Sequence, residues 1–252
     1  MNQAMKPDRG SSSSSTSGGS IDTSRSGSGG SIDTSGGGSA GSSSGHSAHI
    51  NTAGLSIADI VKLFAKRGHE QYDGEPVTQL QHALQTALLA EKAGADCELI
   101  VACLLHDLGH LLHDFGPTPT NTGLDDVHQY RVLPFLRPLF GPGVLDPIKL
   151  HVDAKRYLCA TEAGYYHTLS ADSVRSLELQ GGVFNAEQVD EFIRHPHAAQ
   201  AVMLRRWDDK AKRADWVTPD LDWFSKYLNQ AANRRQINLQ NQAANAAKTR
   251  AD

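Results

Sequence analysis

The sequence predicts an all-α fold. Three observations carry that reading. Apolar residues recur at three- and four-residue spacing in one segment after another. Ser, Thr, Asp or Asn heads most of those segments, where a side-chain oxygen can cap the first helical N–H groups. No stretch alternates apolar and polar residues with the period of two that a half-buried strand requires.

Taken in order, Ser56 heads "SIADIVKLFAKRG", where Ile57, Ile60, Val61 and Phe64 share a face and Gly68 marks the stop. "QYDGEPVT" reads as a loop. Thr78 heads a second helix reaching about Ala93, with Leu80, Ala83, Leu84, Ala87 and Leu88 on one face. "CELIVACLLHDLGHLLHD" is apolar nearly all round and reads as one central buried helix, ended by Gly116, Pro117 and Pro119. Asp125 or Asp126 can cap "VHQYRVLPFLRPLFG". "DPIKLHVDAKRYL" reads as a helix with its proline near the first turn. Ser170 opens "ADSVRSLELQ", closed by Gly181 and Gly182. "NAEQVDEFIRH" and "HAAQAVMLRRWDDKAKR" follow, and a last helix starts near Pro219.

The chain has 252 residues, and its composition changes along its length. Residues 1–49 are mostly Ser and Gly, with "GGSIDTS" at Gly18–Ser24 and again at Gly29–Ser35. Such a segment buries too little apolar surface to offset its ordering entropy, so a disordered tail is expected. It lacks the apolar core of a signal peptide, and its few charges do not resemble an Arg-rich transit peptide. Residues 50–228 have the composition of one domain with a sizeable core. Residues 229–252 are polar and rich in Ala, Asn and Gln, an extension that either prolongs the last helix or frays. The net charge of −4 comes from mixed signs with no basic stripe, which argues against nucleic acid. No apolar run reaches membrane-spanning length. Cys97, Cys103 and Cys159 form no CxxC pair and are expected as free thiols in a reducing cytoplasm.

One stretch concentrates chemistry. "LLHDLGHLLHDFG" carries His106, Asp107, His110, His113 and Asp114. His106 and Asp107 directly follow "LIVACLL", so they are expected deep in the core, where polar groups are costly unless paired or bound. His110 lies one turn on. His113 and Asp114 stand near the helix exit and read as capping or exposed groups. His82 lies among the apolar positions of the second helix, His128 follows an acidic pair, His151 lies inside "IKLHVDAKRYL", and Asp208 follows Trp207. A single histidine on an apolar face is usually a hydrogen-bonded core residue. Together, His82, then His106-Asp107, then Asp208 form the H…HD…D spacing of the HD superfamily. There, two imidazoles and two carboxylates hold a metal of the Fe, Mn, Zn or Co kind. His128 and His151 would add a second metal, with Asp107 bridging. Metal-dependent phosphodiesterases of that superfamily also use two metals, so ligand count alone leaves hydrolase and oxygenase open, whereas the complete ligand set argues against a non-catalytic binding module.

Longer segments narrow the choice. "QYDGEPVTQLQHALQTA", "ACLLHDLGH", "HVDAKRYL", "LSADSVRSLELQGG" and "RRWDDKAK" together resemble the HD-domain mixed-valent diiron oxygenases of the PhnZ type, which cleave carbon–phosphorus bonds. The resemblance runs from about Glu70 to Trp223. It implies an HD-domain helical bundle around a dinuclear site holding an Fe(II)/Fe(III) pair. Carried over by position, His82, His106, Asp107 and Asp208 would hold one iron, and Asp107, His128 and His151 the other. His110 would be a donor beside the substrate. Lys155 and Ser173 would bind the phosphonate, with Gln180 close by. Tyr72 and Glu75 match a lid pair, the tyrosine covering an iron and the glutamate meeting a substrate ammonium. The implied reaction takes O₂ and 2-amino-1-hydroxyethylphosphonate to glycine and phosphate. Tyr72, Tyr157, Tyr165 and Tyr166 leave a trimethylammonium substrate open. A partner enzyme that first hydroxylates the phosphonate carbon is also implied. The runner-up is an HD phosphohydrolase, in which a metal-bound hydroxide attacks phosphorus. It calls for more basic residues than Lys155 alone. The Gly/Ser tail, the Pro-rich "FGPTPTNTG" loop and the 228–252 extension depart from the family pattern.

Overall fold

The computed structural model describes residues 54–72, 74–113, 120 and 123–249. The expected 1–49 tail, Asp114 and the loop-ending Gly116, Pro117 and Pro119 lie outside them. Among the described residues the chain is helical, and its only strand-like pairing is one isolated bridge, Gln71 to Thr78. None of the described helices is long and apolar enough to cross a membrane.

Helix α1 (Ile57–Arg67) starts at Ser56 with a reciprocal cap. Ser56 Oγ accepts from the Asp59 N–H at 3.2 Å, and Asp59 accepts from the Ser56 N–H at 3.1 Å. It buries Ile60 and Phe64, whereas Val61 is exposed. Helix α2 (Gln79–Lys92) repeats the device with Thr78 and Gln81. It is buried on more than the one expected face, because Gln85 and Thr86 are enclosed beside Ala83, Ala87 and His82.

Helix α3 (Cys97–Leu105) is capped by Asp96, whose Oδ1 accepts from the Leu99 N–H at 2.9 Å. The expected single helix through Asp114 does not form. The α-helix ends at Leu105, the backbone departs from α-geometry at Asp107, and the chain tightens into a 3-10 turn over Leu108–Leu112. Gly109 makes the reason visible: a Cβ there would overlap the His128 carbonyl. The tight turn and the bare glycine let the His128 backbone lie directly against it.

The segment after Asp126 also departs from expectation. Val127 sits at φ 47°, a left-handed conformation costly for a β-branched residue. Two short helices follow, α4 (His128–Arg131) and α5 (Leu133–Leu136), in place of one long one. Pro134 withholds an N–H from the ladder at the join. Asp125 and Asp126 accept the Val127 and His128 N–H groups at 3.2 and 3.3 Å, so the acidic pair fixes the entry without capping either helix.

Helix α6 (Pro142–Thr161) begins earlier than expected, with Pro142 in its first turn and Pro147 inside it. A 3-10 turn at Tyr165–Thr168 leads to α7 (Ala171–Leu179), capped by Ser170 and closed through left-handed Gly181 and Gly182. Then come α8 (Ala186–Ile193), α9 (Ala198–Asp208) and α10 (Leu221–Thr249). Helix α9 stops at Asp208, before the expected Arg213. Helix α10 runs straight through position 228, so the polar extension continues the last helix. In the core α2 and α3 pack together, α3 lies against α6 and α10, and α6 runs along α9. Buried Phe140, Ile148, Leu204, Phe224 and Leu228 fill the spaces between them. Helices α2, α4, α6 and α9, and the turn that follows α3, all deliver polar side chains to one buried point.

Candidate metal centre and adjoining pocket

That point is built around Asp107, where α3 gives way to the 3-10 turn. Its Oδ2 lies 3.1 Å from His106 Nε2 and 3.5 Å from His82 Nε2. Its Oδ1 lies 3.3 Å from His128 Nε2 and 3.5 Å from His151 Nε2. One carboxylate thus stands between two pairs of imidazoles. Within each pair the Nε2 atoms face each other, His82 to His106 at 3.2 Å and His128 to His151 at 3.1 Å. Asp208, at the end of α9, adds Oδ1 at 3.3 Å from His82 Nε2.

Each imidazole is turned inward by its other nitrogen. Nδ1 lies 2.8 Å from the Ala211 carbonyl in His82 and 2.9 Å from the Cys103 carbonyl in His106. It lies 2.9 Å from Asp126 Oδ1 in His128 and 2.7 Å from the Ile148 carbonyl in His151. These acceptors assign the proton to Nδ1 and leave the Nε2 lone pairs converging. Lone pairs at such separations repel unless a cation lies among them. Asp208 Oδ1 is buried with no hydrogen-bond partner, another atom that a cation would satisfy. The donor chemistry and the orphaned oxygen therefore fit a metal site of imidazole and carboxylate type.

The electrostatics point the same way. Burial lowers the His82 pKa, but the Asp107 and Asp208 carboxylates reverse this and push it up to about 9. Burial likewise opposes charge on His128, and Asp107 and Asp126 lift it to about 10. Burial dominates at His151 and holds it well below the usual histidine range. Burial raises Asp107, yet the surrounding His106, His128 and His82 hold it well below the usual carboxylate range. The cluster holds ionised carboxylates at its centre and draws in positive charge.

His110 is half-buried. Its Nδ1 lies 2.6 Å from Asp126 Oδ2, its ring stacks on His128, and its Nε2 is 3.9 Å from Asp107 Oδ1. His113 also reaches Asp126, at 3.0 Å. It belongs to this polar network, whereas the sequence reading treated it as capping or exposed.

A cavity of about 50 Å³ opens beside Asp107, His128, His151 and Asp208. Lys155, one turn after His151, is 2% exposed and donates to Ser176 Oγ at 2.6 Å and to the Ser173 carbonyl at 3.4 Å. Burial, then the nearby Arg205, lowers its pKa to about 7. Ser173 and Gln180 line the same cavity, and Gln180 Oε1 is buried without a hydrogen-bond partner. Tyr72 stacks on the His82 ring at 3.9 Å and closes one side. Glu75 is already paired, with Lys212 Nζ 3.0 Å from its Oε1.

No family model matches the chain. It is 41% identical to a [1-hydroxy-2-(trimethylamino)ethyl]phosphonate dioxygenase (glycine-betaine-forming) of Leisingera caerulea, over 68% of this chain and 88% of that one. It is 44% identical to a hydroxymethylphosphonate dioxygenase of Gimesia maris, over 69% of this chain and 86% of that one. The chain belongs to the HD-domain phosphonate dioxygenases. An uncharacterized protein of Acanthamoeba polyphaga mimivirus is a more distant relative, 30% identical over 71% of this chain and 84% of its own length.

For a phosphonate dioxygenase, the sequence reading passed over several site residues. Asp126, which the sequence suggests only as a helix cap, orients His128 and His110. Arg205 holds Asp208 Oδ2 at 2.9 Å and also pairs with Asp209. Lys212 reaches Glu75, Ser170 and Ser173. Arg205 and Lys212 flank Asp208 within "RRWDDKAK", and Asp126 lies two residues before His128. Adjacency to expected ligands was the available signal.

Proposed function

We propose that the chain is a diiron oxygenase that uses O₂ to cleave the carbon–phosphorus bond of a small 1-hydroxyalkylphosphonate. The observation that supports it most is the Asp107 carboxylate, which turns one oxygen to each pair of imidazoles. In this reading His82, His106, Asp107 and Asp208 hold one iron, and Asp107, His128 and His151 the other, as a mixed-valent Fe(II)/Fe(III) pair. Iron held there would supply the open coordination positions and the redox reach that O₂ chemistry requires. With hydroxymethylphosphonate the products are formate and phosphate; with 2-amino-1-hydroxyethylphosphonate they are glycine and phosphate. Either way one O₂ and one substrate give one carboxylate, one phosphate and a proton, all electrons coming from the substrate carbon.

The protein's own residues bind, orient and seal. The Lys155 ammonium, Ser173 and Gln180 take the phosphonate oxygens, the lysine through charge-assisted hydrogen bonds. Asp126 and His110 keep the His128 face fixed, so the substrate carbon meets a preorganised centre. Tyr72 and Glu75 form the cover that keeps water from the reacting carbon. The substrate's 1-hydroxyl implies a preceding reaction that hydroxylates a phosphonate carbon. A cytoplasmic setting suits three cysteines that remain free thiols. Residues 1–49 are proposed as a tail outside the catalytic domain, and 229–252 as an extension of its last helix.

The test is stoichiometric. Anaerobic protein loaded with iron is mixed with either phosphonate, O₂ is added, and O₂ uptake, phosphate and carboxylate are measured. Equal amounts of all three support the reading. Phosphate released from a phosphoester with Mn or Mg, without O₂ uptake, would replace it with a hydrolase.

A further inference from the structure

Arg67, the last residue of α1, stands outside the cavity and before the segments that resemble the family, yet its guanidinium joins two parts of the site. Nε and Nη2 donate to the two Glu70 carboxylate oxygens at 2.6 and 2.9 Å, a bidentate pair. Nη1 donates to the Leu111 and His113 carbonyls at 2.9 and 2.8 Å. Those carbonyls lie at the end of the 3-10 turn that starts beside Asp107, where a helical turn leaves its last acceptors without partners of its own. On the Glu70 side the chain enters the cover. The Glu70 carbonyl accepts from the Gln79 N–H at 2.9 Å and the Val77 carbonyl from the Tyr72 N–H at 3.0 Å, so the cover is closed at its base. On the other side His113 Nε2 lies 3.0 Å from Asp126 Oδ2, and Asp126 Oδ1 lies 2.9 Å from His128 Nδ1.

We infer that Arg67 is a positioning residue for the phosphonate reaction: it fixes the base of the cover to the turn that carries Asp107 and His110, and so sets where Tyr72 and Glu75 stand over the metal centre. The inference rests on the proposed phosphonate chemistry and adds to it a residue that acts through Glu70. A loop closed only by its own backbone bonds can rock on its ends. A planar cation bonded on both sides opposes that motion, because rocking must break the Glu70 pair or the two carbonyl bonds. A cover fixed in advance loses less freedom when substrate binds, so binding is tighter. Lysine cannot take this place, since one ammonium has no fork to span a carboxylate and two carbonyls. The Arg67 side chain is 21% exposed and that of Glu70 39%, so their charge pair adds little to global stability. Its effect is on placement.

The experiment compares the iron-loaded full chain with Arg67→Met, Arg67→Lys, Glu70→Gln and the double variant Arg67→Met with Glu70→Gln. Anaerobic calorimetry with hydroxymethylphosphonate gives Kd, hydrogen exchange by mass spectrometry follows peptides covering residues 70–80, and O₂ is then admitted. Arg67→Met should weaken binding about tenfold and speed exchange over 70–80 about tenfold, with α6 and α9 unchanged. Arg67→Lys should behave like Arg67→Met despite keeping the charge. Glu70→Gln should weaken binding by a smaller factor, and the double variant should be no weaker than Arg67→Met alone, because the two residues act as one unit. A misfolded methionine variant would also exchange faster in α6 and α9; Glu70→Gln, which keeps the Arg67 bonds to the turn, then decides by its Kd. Parent-like Kd and exchange in Arg67→Met overturn the inference. So do losses that add in the double variant, since a merely structural arginine would act independently of Glu70. If the parent binds no phosphonate, the phosphonate reading falls, and unchanged exchange over 70–80 would show separately that Arg67 does not hold the cover. Binding in the expected order but no turnover with O₂ sinks the oxygenase reaction alone.

Discussion

Arg205 ties down one oxygen of Asp208 and leaves the other facing the histidines. Its Nη1 lies 2.9 Å from Asp208 Oδ2, while Asp208 Oδ1 is buried with no hydrogen-bond partner. Arg205 is itself 5% exposed and also pairs with Asp209, which accepts from Tyr165. Replacing Arg205 by methionine leaves two carboxylates without their cation. Breaking a buried pair from one side costs about 3–5 kcal/mol. Arg205→Met is therefore expected to lose stability of that order in urea unfolding. A loss within experimental error would show that Arg205 does not hold Asp208.

Asp126 orients His128 through Nδ1 at 2.9 Å. Partners of this kind set a ligand's tautomer and basicity, and removing them costs roughly 10- to 100-fold in metal affinity. Asp126→Asn should weaken metal binding by such a factor in chelator competition, with the helical circular dichroism unchanged. Unaltered affinity would remove Asp126 from the site.

Gly109 lets the His128 backbone approach the turn after Asp107, since a Cβ there would overlap the His128 carbonyl. Gly109→Ala should displace His128 and leave His82, His106 and Asp208 in place. If the site holds two irons as proposed, the expected result is loss of about half the metal retained after iron loading, by elemental analysis. Full iron occupancy would show that the turn tolerates a side chain.

The class of fold and the histidine–aspartate constellation were legible in the sequence; the breaks that shape the site were less so. Ser56, Thr78 and Ser170 cap helices as their types predict, because capping depends on neighbours in the chain. The end of α3 at His106 does not follow from local preference. "LLHDLGHLL" suits a continuing helix, and the contact that favours the 3-10 turn comes from His128, far along the chain. The left-handed Val127 is similar: no valine prefers that conformation, and tertiary contacts must hold it there. Lys212 carried no signal of its own. Its place against Glu75 exists only once α9 ends at Asp208 and the chain turns back.

Lys155 predicts a pH dependence. Its folded pKa is near 7 against an ordinary 10.5, with burial the main cause. Between those values the unfolded chain holds a proton that the folded chain lacks, so this group's contribution to stability grows as pH rises. It is lost as pH falls through about 7. Lys155→Met removes the group. The variant should exceed the parent in stability by on the order of a few kcal/mol at pH 6, and the gap should close towards pH 10. A gap that does not change with pH would contradict a lowered lysine pKa. In the parent, a bound phosphonate dianion should draw a proton onto Lys155. Calorimetry at pH 8 in buffers of different ionisation heat should then show proton uptake on binding.

The most direct test of the central claim follows oxygen atoms. Iron-loaded protein turns over hydroxymethylphosphonate under ¹⁸O₂ in ordinary water, and formate and phosphate are examined by mass spectrometry. Carbon–phosphorus cleavage by an oxygenase predicts ¹⁸O from the gas in the products, with one O₂ consumed per phosphate. Phosphate formed without O₂ consumption, and labelled only when H₂¹⁸O replaces ordinary water, would contradict it.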